Sequence, residues 1–123
     1  MGLKIRDIKR VEVETNAGNS VLAYTIATSS NTNIRVRTEL IGKRLSNSDT
    51  FVDISEHCFK NVSGTVSQVG SSASIFKVHD TDVHHSSLSF NISGTNIEVY
   101  VNADPDTNVL EMSWELVIYI EVN

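Results

Sequence analysis

Five side chains able to hold a metal or move a proton crowd one short stretch: His79, Asp80, Asp82, His84 and His85. In an extended backbone Asp80, Asp82 and His84 share a face, while His79 and His85 point to the other. Zinc needs three or four convergent ligands and hard cations need a shell of oxygens, which a divided set does not supply. The stretch reads as a polar loop between Val78 and Leu88, with no bound metal. A second candidate is Cys58 beside His57. A thiol nucleophile needs a base within reach, yet adjacent strand residues face opposite ways. Cys58 shares the parity of Val52 and Ile54, so it reads as a small buried apolar residue. Asp80 with Asp82 and Asp104 with Asp106 flank loops, where Asp commonly serves turns. No Gly-x-Ser-x-Gly elbow and no glycine-rich phosphate loop occur. The expectation is a protein that is not an enzyme, with no catalytic residues and no cofactor.

Binding residues are easier to nominate. Trp114 falls on an apolar strand face and reads as a core plug. Tyr100 and Tyr119 share the parity of polar neighbours, open to a glycan or to another subunit. With Tyr100, the exposed-loop histidines His79 and His84 complete a candidate surface-binding set. Charge is uneven: residues 1–44 hold eight basic and four acidic residues, a net of +4, and residues 45–123 hold two basic and eleven acidic, a net of -9. Either solvated strand faces differ in sign, or a basic edge meets an acidic neighbour. The second reading nominates Lys4, Arg6, Lys9 and Arg10 as interface residues. Val117 and Tyr119 join them, because they interrupt the polar face of the last strand between Glu115 and Glu121.

These residues must be positioned by strands. The 123-residue chain is one domain's worth, read as a single domain over 1–123. Val and Ile supply 26 positions, enough for a core, and Ser, Thr and Asn supply 37, typical of turns and exposed strand faces. A net charge of -5 argues against general nucleic-acid binding. No stretch approaches the ~20 apolar residues of a membrane-spanning helix, and no apolar secretion signal follows the first residues. One cysteine allows no internal disulfide, in keeping with folding in a reducing cytoplasm.

Period-2 alternation runs through the chain. Leu110, Met112, Trp114, Leu116, Ile118, Ile120 and Val122 share one face of a long C-terminal strand. Segments 88–92 and 97–101 alternate about a Ser93-Gly94-Thr95-Asn96 turn and predict a hairpin. A second hairpin is predicted between 21–28 and 34–41, and weaker strands over 8–15, 50–59, 64–69 and 73–78. Residues 61–65 and 91–95 echo each other as Asn-x-Ser-Gly-Thr, which predicts two hairpins with the same turn chemistry. Eight or nine strands at this spacing predict an all-β protein, an antiparallel β-sandwich of jelly-roll type.

Four segments carry a resemblance: 36–44 (VRTELIGKR), 58–70 (CFKNVSGTVSQVG), 93–101 (SGTNIEVYV) and Met112-Ser113-Trp114. Over roughly residues 34–122 the chain resembles the β-rich domain of tail-fibre and tail-spike proteins of tailed bacteriophages. The resemblance implies an antiparallel β domain, a place on the virion surface after synthesis in the host cytoplasm, and a homotrimer. It carries over no catalytic residue. The short chain leaves no room for a fibrous shaft, which turns the expectation toward a trimeric capsid decoration protein that cements the shell. Its partner would be the major capsid protein or another virion protein, with neither nucleic acid nor membrane involved. The alternative is a tail-fibre or head-fibre receptor-binding tip whose partner is a host-surface glycan.

Overall fold

The computed structural model describes residues 5–16, 18–83, 86–104 and 111–123. Nine antiparallel strands run through them: β1 (Ile5–Asn16), β2 (Ser20–Ala27), β3 (Thr32–Arg44), β4 (Thr50–Val62), β5 (Thr65–Gln68), β6 (Ala73–His79), β7 (Ser87–Ser93), β8 (Asn96–Asn102) and β9 (Glu111–Val122). The larger sheet has the order β1-β9-β3-β4, with β5 and β6 following one another along the far edge of β4. The smaller sheet has the order β2-β8-β7. The chain is a sandwich, as the alternation predicts.

The apolar rows fill the space between the sheets. Met112, Trp114, Leu116, Ile118 and Ile120 of β9 are all buried, beside Ile34, Val36 and Leu40 of β3 and Phe51 and Phe59 of β4. Ile26, Ile97, Val99 and Val101 close the core from the smaller sheet. Each such side chain contributes about 1.5–3 kcal/mol by leaving water. Leu110 and the Asp106 turn lie outside the described residues.

Two expectations about connections need correction. Segments 21–28 and 34–41 are not a hairpin: β2 pairs with β8, while β3 is paired along both edges, by β4 and β9. With both edges taken, β3 has no ladder to offer β2, so the chain crosses between sheets. Thr28 extends the β2–β8 ladder by one step, its amide donating to the Thr95 carbonyl at 3.1 Å, its hydroxyl accepts from Asn61 Nδ2 of β4 at 2.9 Å across the sheets, and Asn31 adopts φ 60°. A five-residue polar linker reads alike for a hairpin and for a sandwich corner.

The echoed Asn-x-Ser-Gly-Thr motifs do form two hairpins, but not with one turn. Val62 pairs with Thr65, leaving Ser63 and Gly64 as the loop, both at positive φ (51° and 91°), the signs of a type I′ turn. Ser93 pairs with Asn96, so the second loop is Gly94-Thr95. Only Gly94 has positive φ there (59°), the signs of type II′. The register has slipped by one residue between two near-identical sequences.

Candidate functional site: charged outer faces and a polar slot

The outer face of the larger sheet carries most of the nominated interface residues. By register Arg6 meets Glu121, Ile8 meets Tyr119 and Arg10 meets Val117 across β1 and β9. On the other side of β9, Arg35 meets Glu121 and Arg37 meets Tyr119. Here β1 and β3, which hold most of the basic residues, flank β9, and β3 also borders β4. Three ion pairs bridge neighbouring strands, Arg6–Glu121 at 3.4 Å, Arg10–Glu115 at 3.5 Å and Arg35–Glu56 at 2.6 Å, while Arg37–Glu39 at 3.6 Å lies within β3. The Arg35 guanidinium is held above its ordinary value by its hydrogen bond to Glu56. A groove of about 460 Å³ lies among Arg6, Arg35, Arg37, Glu56, Tyr119 and Glu121. Part of the asymmetry of charge along the sequence is thus paired off within the fold.

The basic set does not form one patch. Lys9 faces the opposite side from Arg6 and Arg10 and pairs with Asp7 at 3.3 Å, and Lys4 lies outside the described residues. Val117 is 7 % exposed in a single chain. A neighbouring subunit is therefore not needed to cover it, contrary to the reading of that strand as leaving Val117 in water. The neighbours of Val117 across the flanking strands are Arg10 and Glu39. Tyr119 is half-buried.

The surface-binding candidates are also dispersed. Tyr100 lies on the outer face of the smaller sheet, its hydroxyl 3.4 Å from Glu98 Oε1. Around it Asn91 donates to Glu98, and Asn102 donates to Ser87 and Ser89. His79 sits at the end of β6, stacked on Phe51 with ring centroids 6.2 Å apart. His84 and His85 lie outside the described residues. Asp80 is used structurally, its Oδ2 accepting the Thr50 amide at 2.8 Å.

Cys58 is exposed, which corrects the expectation of burial. The inward row of β4 is Phe51, Asp53, Ser55, His57, Phe59 and Asn61, so Val52, Ile54 and Cys58 face out. That row is polar in its middle for a topological reason. Three strands cannot cover six, so β6, beyond the reach of β7, is left without a lid and every one of its residues is exposed.

A polar slot of about 260 Å³ lies in that gap. Its floor is Asp53, Ser55 and His57, its inner wall Leu88 and Phe90, and its outer lip Gln68, Ser72 and Ser74. His57 is 5 % exposed and packs against the Phe90 ring at a centroid distance of 4.3 Å. Its Nδ1 lies 2.6 Å from Ser72 Oγ, and its Nε2 3.1 Å from Thr38 Oγ1. Burial pushes the imidazole down to about 4, against a smaller upward pull from Glu56. Asp53 is raised by burial, with Lys77 and Ser74 pulling the other way. Sequence reading missed this group because its residues sit among apolar ones of either parity.

No protein-family model matches the chain, and no curated protein sequence does. The fold, however, recurs in solved structures. The tailspike protein of Acinetobacter baumannii phage AM24 superposes with a TM-score of 0.51 at 12 % identity, over 95 % of this chain and 26 % of that one. The fold is that of a tailspike β domain. A tailspike of A. baumannii phage Fri1, itself a capsular polysaccharide depolymerase, aligns at 8 % identity and a TM-score of 0.48, over 94 % of this chain and 17 % of its own. This chain spans about a quarter or less of the length of those tailspikes.

Proposed function

We propose that the chain is a bacteriophage tail-spike or tail-fibre domain that recognises a host-surface glycan without catalysing its breakdown. The superposition of nearly the whole chain on part of the AM24 tailspike carries this reading. The capsid-decoration reading rested on length, and a β domain of this size within a spike about four times longer makes length neutral between the two. In this reading the protein is a virion component, and the expected homotrimer would present three binding surfaces whose weak contacts reinforce one another.

Binding rather than catalysis is supported by the one Ser–His contact in the slot. A general base works best with a pKa near the working pH. His57 is instead buried and held to about 4, with a hydroxyl, not a carboxylate, on its far nitrogen. The pull of Glu56 on the imidazolium that proton abstraction would create is outweighed by the cost of burying it.

Labelled protein applied to encapsulated bacterial strains tests the proposal. Expected is retention on at least one strain, lost when the capsule is stripped, and competition with adsorption of the phage that infects it. Binding to undecorated capsids with a gain in their heat resistance, and no effect on adsorption, would return the decoration reading.

A further inference from the structure

The polar slot between β7 and β6 is built from groups that satisfy one another incompletely. Ser72 and Thr38 hold His57, and Gln68 Nε2 donates to Ser72 Oγ at 3.0 Å, which fixes the floor and lip. The carboxylate of Asp53 is less well served: the Ser74 hydroxyl reaches it only at 3.5 Å. A half-buried carboxylate in that position has acceptor capacity to spare. Beside it stands the half-buried ring of Phe90, an apolar wall next to a polar floor.

Charge narrows the ligand. The negative Asp53 is countered by Lys77, its cross-strand partner on β6, and His57 is neutral. An anion would meet the carboxylate, and a cation would find the carboxylate's charge already partly offset by Lys77, whose amine lies outside the slot over the Phe51 ring. Volume narrows it again, because about 260 Å³ is below the ~300–1,000 Å³ of a pocket for drug-sized ligands. Hydroxyl and amide groups on the floor and lip exclude a purely apolar guest, which would leave them unpaired.

We propose that this slot binds one neutral pyranose unit, its ring face on Phe90 and its hydroxyls donating to Asp53 and exchanging hydrogen bonds with Ser74 and Gln68. The proposal rests on the glycan-recognition reading and gives that reading its site. A sugar ring suits the slot because it pairs an apolar C–H face with a rim of donors and acceptors. Gln68, Ser72 and Ser74 are exposed, so a sugar within a longer chain has a path in from solvent.

The test uses the whole chain and a panel of neutral methyl glycosides, with glucuronate and glucosamine as charged counterparts. Binding is followed by chemical-shift changes at Gln68, Ser74 and the His57 ring. Asp53→Asn keeps the shape and removes the acceptor charge, and Phe90→Leu removes the aromatic wall. Expected is saturable binding of at least one neutral glycoside, weakened about tenfold or more in Asp53→Asn, as loss of a hydrogen bond to a charged group predicts. Shifts confined to other surfaces, wild-type affinity in both variants, or tighter binding of either charged sugar would overturn the proposal. Should wild type and variants bind encapsulated cells alike, the slot is wrong and glycan recognition stands. Should neutral glycosides fill the slot while no cell surface is bound, the slot stands and the recognition reading falls.

Discussion

Gly42 lies directly beneath the indole of Trp114, its partner across the β3–β9 ladder. A Cβ added at Gly42 would fall within 2.4 Å of two carbons of that ring. The indole is wholly buried, meets Phe51 edge-on at 5.7 Å, and donates its Nε1–H to Thr15 Oγ1 at 2.8 Å. The missing side chain is therefore the space the indole occupies.

Gly42→Ala is expected to cost about 3 kcal/mol or more, because the ring is pinned on three sides and cannot yield. Trp114→Phe, which removes the offending six-membered ring of the indole, should recover part of that loss in the double variant. Urea midpoints of the four proteins give the coupling. Additive effects would show that the ring is free to move.

A second expectation concerns Val117 and Tyr119. Since Val117 is covered within one chain, Val117→Lys forces a longer, charged side chain into a packed position between Arg10 and Glu39 and should cost about 1 kcal/mol or more. Tyr119→Glu should cost less, because its half-exposed position beside Arg37 keeps a carboxylate in water. Unfolding midpoints measure this, and sedimentation reports assembly separately. Dissociation of a wild-type oligomer by Val117→Lys at an unchanged midpoint would return that residue to a subunit contact.

How far the sequence disclosed this arrangement differs from strand to strand. β9 was legible because its two parities differ sharply, apolar from Met112 to Ile120 against Glu111, Ser113 and Glu115. β4 was not, since Val52 and Ile54 are apolar on the outer face while Asp53, Ser55 and His57 are polar on the inner one. Alternation reports burial only where a second sheet covers the face, and β7 stops short of β6. The slot was hidden for the same reason. Its residues come from β4, β5, the β5–β6 connection, β6 and β7, and their meeting depends on how the two sheets overlap. The crossing from β2 to β3 was misread because it is decided by which strands flank β3, a long-range matter on which local residues are silent.

His57 ties stability to pH. Folded, the ring titrates near 4; unfolded, it returns to its ordinary 6.5. Between those values the unfolded chain binds the extra proton, so stability falls as pH drops from about 6.5 toward 4. The loss should be on the order of 2 kcal/mol, and His57→Gln should flatten this part of the profile. Asp53 acts oppositely and lower down: its raised folded value favours the folded state as pH falls toward the ordinary 3.8, partly offsetting the histidine at the acid end. Urea unfolding at a series of pH values from neutral to acid measures both. A wild-type profile that is level across the histidine window would contradict the buried, neutral ring.

The one-residue slip between the two hairpins yields the last prediction. Type I′ turns want left-handed residues at both loop positions, and Asn-Gly is their preferred pair. Ser63-Gly64 already has the backbone for it, with the Ser63 amide donating to Asn31 Oδ1 at 3.1 Å and the Gly64 amide to Asn61 Oδ1 at 2.8 Å. Both bonds use main-chain donors, so Ser63→Asn keeps them while placing a residue that tolerates positive φ. A gain of about 0.5 kcal/mol is expected. Thr95 occupies the second loop position of the other hairpin, where φ is not positive, so Thr95→Asn should bring no such gain. Gly64→Ala, forced to φ 91°, should instead cost about 1 kcal/mol or more. Thermal or urea unfolding of the three variants separates the cases, and equal gains from the two asparagines would mean that both motifs form the same turn after all.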